Sequence, residues 1–422
     1  MVKMKDSGIE WIGEIPETWK VPPLYMCFTE RRNKNRLGKE KNLLSLSYGH
    51  IVQKNIEAKG GLLPESFTTY NIIEPGDIII RPTDLQNDKR SLRTGLSNEH
   101  GIITSAYIDL EPLKNVNSKY YHYLLHSYDI QKVFYNMGNG VRQGLNYSEF
   151  SKLRVLAPKS IEQQQIADYL DHKTVEIDGL IDKINTEIDT LKQYQSSVIT
   201  RAVTKGLDPN VPMKDSGIEW IGEIPEKWKV APLYKYFSER KNKNRAGNEK
   251  NLLSLSYGRI VRKNIESKGG LLPESFTTYN IIEPGDIIIR PTDLQNDKRS
   301  LRTGLSGEHG IITSAYIDLA PDGGTNSKYH YYLLHSYDIQ KVFYNMGNGV
   351  RQGLNYSEFS KLKVLVPERL EQQQIVGYLD NKVSQIQNII KSKQQQIDQL
   401  TGYKNSLIFE YVTGKKQVKE EN

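Results

Sequence analysis

Two stretches of the chain gather side chains able to bond to the edges of nucleic-acid bases. Residues 81–94, RPTDLQNDKRSLRT, hold Arg81, Thr83, Gln86, Asn87, Lys89, Arg90 and Arg93. Arginine, lysine, glutamine and asparagine are the side chains that bond bidentately to guanine or adenine or hold a phosphate. The segment recurs unchanged at 290–303, with Arg290, Thr292, Gln295, Asn296, Lys298, Arg299 and Arg302. A second stretch, NMGNGVRQGLNY at 136–147, sets Asn139, Arg142, Gln143 and Asn146 among glycines. Glycine lets a backbone approach a phosphate closely. It returns at 345–356 as Asn348, Arg351, Gln352 and Asn355. A third candidate is SYGH at 47–50, with Tyr48 and His50; its second copy is SYGR, with Tyr257 and Arg259. The plainer readings are a solvated loop with local Asp–Arg pairs for 81–94 and a glycine-rich hairpin tip for 136–147. Arg31, Arg32, Lys34 and Arg36 fit phosphate contacts or, more simply, a solvated run.

Chemistry of the catalytic kind is missing. An amino-methyltransferase needs a glycine-rich cofactor loop and an Asn/Asp-Pro-Pro-aromatic motif, and the chain has neither. Gly138, Gly140 and Gly144 are spaced G-x-G-x-x-x-G, which is wrong for a dinucleotide fingerprint and does not lead from a strand into a helix. There is no phosphate loop with its lysine, so no ATP motor is expected. Glu57-Ala58-Lys59 has the form of the end of a nuclease motif, but no Pro-Asp precedes it in that half. The eight histidines show no metal-ligand spacing. A non-catalytic chain without its own cofactor or metal is the expectation.

The bulk figures agree. A formal charge of +7 and a pI near 9.0 lean towards a polyanionic partner. Tyrosines number 26 against nine phenylalanines, which suits a surface that stacks on bases or, as well, half-buried strands. The single cysteine, Cys27, rules out a disulfide framework and a cysteine-ligated metal. No apolar run is long enough to span a bilayer and the start lacks a signal-peptide core, so the sequence predicts a soluble, cytoplasmic protein without a membrane partner.

What must position the candidate residues is a duplicated unit. MKDSGIEWIGEIPETWKV at 4–21 returns with one change at 213–230. Between 42–110 and 251–319 the only differences are His50/Arg259, Gln53/Arg262, Ala58/Ser267 and Asn98/Gly307. The offset of 209 residues is far too long for a solenoid repeat. Within a unit, apolar runs at 43–46, 78–80, 102–110 and 153–157 predict strands, and 119–135 predicts a helix. This is a mixed α/β (α+β) globule.

After Pro158 the period changes. Leu170, Ile177, Ile181, Ile184, Ile188, Leu191 and Val198 recur at steps of four and three, with Thr174 and Gln195 as polar members. Leu379, Val383, Ile386, Ile390, Ile397, Leu400 and Leu407 do the same, interrupted by Lys393 and Lys404. These are heptad seams. A helix over 162–199 is roughly 57 Å long at about 1.5 Å per residue, too long to bury its stripe on one small domain. The two helices are therefore expected to pair as an antiparallel coiled coil between two globules related by a pseudo-twofold axis. The predicted boundaries are a first globule at 1–158, a helix at 159–205, a second globule at 206–367, and a helix with its tail at 368–422.

The opening SGIEWIGEIP-x-x-W of each half, the strand–proline exits RVLAP and KVLVP, the EQQQI helix starts and the run ITRAVTKGLDPNVPMKDSGIEW occur in this order at domain spacing. Together they resemble the specificity subunits of type I restriction–modification systems over essentially the whole chain. The resemblance implies that each globule is a target recognition domain reading one half of a split site in double-stranded DNA. It implies that the helices act as a ruler and dock two adenine methyltransferase subunits, through which restriction subunits join. S-adenosylmethionine, ATP and magnesium would sit on those partners. In the family's usual pattern the two domains differ and the site is asymmetric. Here the candidate segments are identical, which implies an interrupted palindrome. The competing class is a symmetric coiled-coil adaptor without sequence-specific reading of DNA, which would bind duplex with little salt dependence.

Overall fold

A computed structural model describes residues 3–56, 64, 66–83, 85, 91–135, 137, 144–265, 273, 275–292, 294, 301–346 and 353–418. By packing, the chain divides into two compact units, Met1–Ile184 with Gln394–Asn422, and Asn185–Lys393. Both boundaries fall inside a long helix, so each unit holds one globule, the first part of its own helix and the last part of the other.

The first unit opens with β1 (Met4–Asp6) and β2 (Glu14–Pro16), followed by β3 (Phe28–Glu30), β4 (Leu44–Ser47), β5 (His50–Gln53), β6 (Asn71–Ile73), β7 (Ile78–Ile80), β8 (Thr94–Leu96), β9 (Gly101–Ile103) and β10 (Ile108–Pro112). Then come α1 (Ser118–Ile130), the single turn α2 (Tyr147–Phe150) and α3 (Ser160–Lys205). The isoleucine triplet of β7 is wholly buried, as a strand covered on both faces must be. It is a central strand of an antiparallel sheet in the order β3-β10-β7-β8. The expected single strand at 102–110 is two strands, β9 and β10, separated by a turn at 104–107. β9 leaves to pair with β6, and β10 joins the main sheet. A Cβ on Gly95 would fall 2.5 Å from Leu46 Cδ1, so the β4–β5 hairpin lies directly against β8 only because glycine stands there.

α1 is capped by Asn117, whose side-chain oxygen accepts from the Tyr120 amide at 3.1 Å. It buries Tyr120, Tyr121, Leu124, Leu125 and Tyr128. Much of the tyrosine excess therefore goes into core packing.

The motifs that flank each globule meet. Trp19, 1% exposed, donates its indole N–H to Glu162 Oε1 at 3.0 Å. Gln163 donates to the Pro158 carbonyl at 2.9 Å and accepts from the Asn117 amide at 3.1 Å. The tryptophan of the opening motif and the EQQQI helix start are thus one docking joint. Within this unit α3 lies antiparallel to the end of α6 (Arg369–Val412). Tyr169 packs against Tyr411 with ring centroids 4.5 Å apart and the rings tilted by 35°, and Lys404 reaches both oxygens of Asp178 at 2.7 Å. Leu170, Ile177 and Leu407 are buried in the shared core.

The second unit repeats the plan with β11 (Met213–Asp215), β12 (Glu223–Pro225), β13 (Lys229–Pro232), β14 (Phe237–Glu239), β15 (Leu253–Ser256), β16 (Arg259–Arg262), β17 (Asn280–Ile282), β18 (Ile287–Ile289), β19 (Thr303–Leu305), β20 (Gly310–Ile312), β21 (Ile317–Pro321), α4 (Ser327–Ile339), α5 (Tyr356–Phe359), β22 (Lys363–Val366) and then α6. Its main sheet runs β14-β21-β18-β19. The run expected as a closing strand pairs fully here, β22 with β13, and in the first unit makes only isolated bridges Lys20–Ala157 and Pro23–Arg154. Trp228 donates to Glu371 Oε2 at 3.0 Å, the same joint again. Lys393, an interruption of the seam, is bonded to Glu187. Among the described residues no helix is long and apolar enough to cross a membrane.

Candidate nucleic-acid interface

The three candidate segments share one foundation in each unit. Arg93 stands immediately before β8 and is fully buried. Its Nε donates to the Tyr135 hydroxyl at 3.0 Å and its Nη1 to the Thr83 carbonyl at 2.5 Å. The guanidinium carbon sits 5.0 Å from the centre of the Tyr135 ring. Its backbone N–H donates to Asp129 Oδ2 at 2.5 Å, and Tyr135 in turn donates to Asp129 Oδ1 at 3.1 Å. Lys132, with φ +57, donates to the same hydroxyl at 3.0 Å. Burial pushes the Asp129 carboxyl up, against the pull of the Arg93 amide and the Lys132 charge. The Arg81 amide bonds to the Arg93 carbonyl at 2.8 Å, closing the neck of the first segment.

This placement corrects the assignment of Arg93 and Arg302 as base-reading residues. A guanidinium with no exposed surface has exchanged water for partners inside the fold, and withdrawing it would strand Tyr135 and Asp129. Arg302 repeats the arrangement with Asp338, Tyr344 and the Thr292 carbonyl. Both arginines build the loop neck instead.

The second segment begins just after Tyr135, and near its end the Leu145 amide donates to the Pro82 carbonyl at 3.0 Å. Both of its feet are thus fastened to the first. Asn146 is exposed, but its side-chain oxygen caps α2, accepting from the Glu149 amide at 3.0 Å and the Ser148 hydroxyl at 2.6 Å. Asn355 caps α5 in the same way.

The third segment is the turn between β4 and β5. Tyr48 has φ +46 and Gly49 φ +84, the left-handed pair that a two-residue hairpin demands. A Cβ on Gly49 would lie 3.1 Å from Leu92, the residue before Arg93, so the turn rests on the same neck. Tyr48 is 76% exposed and Tyr257 78%. An exposed tyrosine held in a conformation that favours asparagine or glycine is a strained choice, of the kind found at working surfaces. His50 and Arg259 follow, both exposed, while Arg81 and Arg290 are half-buried and Thr83 and Thr292 exposed. Gln86, Asn87, Lys89, Arg90, Asn139, Arg142 and Gln143 lie outside the described residues, as do Gln295, Asn296, Lys298, Arg299, Asn348, Arg351 and Gln352.

Sequence reading missed Asp129, Lys132 and Tyr135, which stand 36 to 42 positions from Arg93 along the chain in contacts no local pattern marks. It also left Arg31 open as a phosphate contact. Arg31 is engaged inside the unit, bonded to Asp77 at 2.7 and 3.2 Å and to Glu111 at 3.1 Å.

Comparison with known proteins decides the family. Residues 96–190 match the type I restriction modification DNA specificity domain. Over 97% of its length the chain is 25% identical to the putative type I restriction enzyme MjaX specificity subunit of Methanocaldococcus jannaschii, covering 96% of that protein. The chain belongs to the type I specificity subunits. A second relative from the same archaeon, the type I restriction enzyme MjaVIII specificity subunit, is 23% identical over 76% of both chains. A solved chain from a study of complex assembly and conformational transition of the type I R-M system aligns with a TM-score of 0.66 at 12% identity, covering 95% of this chain and 99% of that one, and shares its fold. In this specificity subunit the matched stretch runs from the end of β8 through α1 and into α3, and so takes in Asp129, Tyr135 and the whole second candidate segment.

Proposed function

We propose that this specificity subunit reads double-stranded DNA twice with the same surface, and directs adenine methyltransferase and restriction subunits to an interrupted palindrome. It is the recognition component and not a catalyst; S-adenosylmethionine, ATP and magnesium belong to the partners in this reading. The observation that carries the proposal is the identity of the candidate segments, 81–94 with 290–303 and 136–147 with 345–356, over necks built from the same residues. Identical side chains on one scaffold select the same bases. In this reading the two equal copies face the duplex in inverted order, as a twofold protein does on a twofold site. The exposed faces of α3 and α6 beyond the seam are the surfaces offered to the methyltransferase.

The test is methylome sequencing of a host that expresses the subunit together with its methyltransferase. The expected pattern is one short half-site inverted about a fixed spacer, with one adenine methylated on each strand. Two unrelated half-sequences would refute the palindrome.

A further inference from the structure

The two repeats differ in the cleft where the Tyr–Gly turn overhangs its own unit's long helices. In the first unit the cleft under Tyr48 and Gly49 has a volume of about 150 Å³. It is closed by an internal ion pair, Lys404 on Asp178, and faced by His50, His122 and His126. In the second unit the cleft under Tyr257 and Gly258 has a volume of about 370 Å³. Both partners of the ion pair are gone, replaced by Gln195 and Gln387, and Arg259 stands where His50 stood.

These exchanges leave one cation without a carboxylate. Arg259 is exposed at the mouth and makes no ion pair among the described residues. The other cation of the cleft, Lys328, is spent on Asp380 at 2.7 Å, and Tyr332 donates to the same carboxylate at 2.8 Å. Opposite, His335 is only 8% exposed, and its Nδ1 is buried without a hydrogen-bond partner. A buried polar atom without a partner costs stability unless something fills the role. The cleft therefore offers a free guanidinium, a buried imidazole nitrogen, two neutral amides and the Tyr257 hydroxyl. It has no uncompensated negative charge.

We propose that this cleft binds a phosphate group, and that the second repeat alone has the site. The guanidinium holds two phosphate oxygens, and the imidazole and amides donate to the others. The phosphate comes either from the DNA backbone beside the reading turn or from a free phosphorylated small molecule. The first source rests on the function proposed above and the second does not.

Two measurements on the full chain separate them. Inorganic pyrophosphate is titrated against the melting temperature, and duplex affinity is measured across a salt series. A saturable rise of about 2–4 °C in the native chain, lost in Arg259→Gln, supports a free phosphate. A salt slope that falls by about 0.9 in Arg259→Gln and stays unchanged in His50→Gln supports a backbone phosphate. The double variant Gln195→Lys/Gln387→Asp restores the ion pair of the first repeat and should behave as Arg259→Gln does. If Arg259→Gln alters neither measurement, or if the refilled cleft binds as before, the site is overturned. Loss of sequence preference with the pyrophosphate response intact counts against the DNA reading and leaves the cleft standing.

Discussion

Two arginines three residues apart in one segment call for opposite tests. Arg93 is buried with its charge met by Tyr135 and the Thr83 carbonyl. Hydrogen bonds to a charged group contribute about 1.5–3 kcal/mol each, so Arg93→Ala should cost about 3 kcal/mol or more and weaken binding to every DNA sequence alike. Arg90 is a base-edge candidate by its type and place, and Arg90→Ala should leave the melting curve unchanged while relaxing one base position. Thermal melts paired with binding to single-base variants tell the two apart. Nothing local in the sequence separates these residues, because burial was decided by Asp129 on a distant helix and Tyr135 in the turn that follows it. A second residue-scale test concerns Asp109 on β10, 1% exposed beside Asp77. Burial and the Asp77 carboxylate push the Asp109 carboxyl well above its ordinary 3.8. The folded state thus holds a proton that the unfolded chain has released, and stability falls as pH rises from about 4 towards the raised value. Asp109→Asn removes that dependence. At pH 8 it should stabilise the first unit by at least about 1 kcal/mol, the equivalent of one pKa unit. A denaturant series at pH 5 and pH 8 that shows the same gap for both proteins would refute this.

At the scale of elements, the sequence was most readable where a pattern is long. The heptad seams predicted α3 and α6, and their polar interruptions prove to be part of the pairing. Lys404 meets Asp178 and Lys393 meets Glu187, each across the helix pair within one unit. The short strands were harder. β5, β6 and β8 are three or four residues long, and tertiary packing such as Gly95 under Leu46 sets their limits, not any periodicity. α1 ends at Ile130, earlier than its apolar pattern, because the chain turns left-handed at Lys132 to bring Tyr135 under Arg93. That helix carries a pH-sensitive pair. Burial depresses His122 to about 3 and His126 to about 4. The unfolded chain takes up protons near the ordinary 6.5 and the folded one does not, so the first unit loses stability as pH falls from about 6.5 towards 4. His122→Tyr, which installs the side chain that Tyr331 supplies in the second unit, should reduce the acid loss. Melts at pH 7.5 and pH 5 give the answer, and an unchanged drop between them would show that His122 does not contribute.

For the whole molecule, duplication was plain in the sequence but the true compact units were not. Sequence boundaries drawn at the end of each globule set each long helix apart as one undivided segment. Packing divides both helices, at Ile184 and at Lys393, because each apolar stripe is buried by the other repeat's helix. The stripes and their pairing with each other can be read from the sequence; the points at which packing divides them cannot. What duplication implies for reading DNA survives this change, since each unit is assembled from equivalent pieces. A single substitution then becomes a test of symmetry. Arg90→Ala in the first copy should impair one half-site by about 1–3 kcal/mol and leave the other intact. Arg299→Ala should do the same to the opposite half. On a palindrome carrying one altered half-site, each single variant should favour one orientation, so that methylation becomes unequal between strands, and the double variant should lose the site. Two of the exchanges between the repeats, His50 for Arg259 and Gln53 for Arg262, lie on the hairpin that carries the third candidate segment. They permit unequal affinity for equal sequences. If either single variant alone abolishes both half-sites, the copies do not read independently, and the symmetry of the segments is not the symmetry of the site.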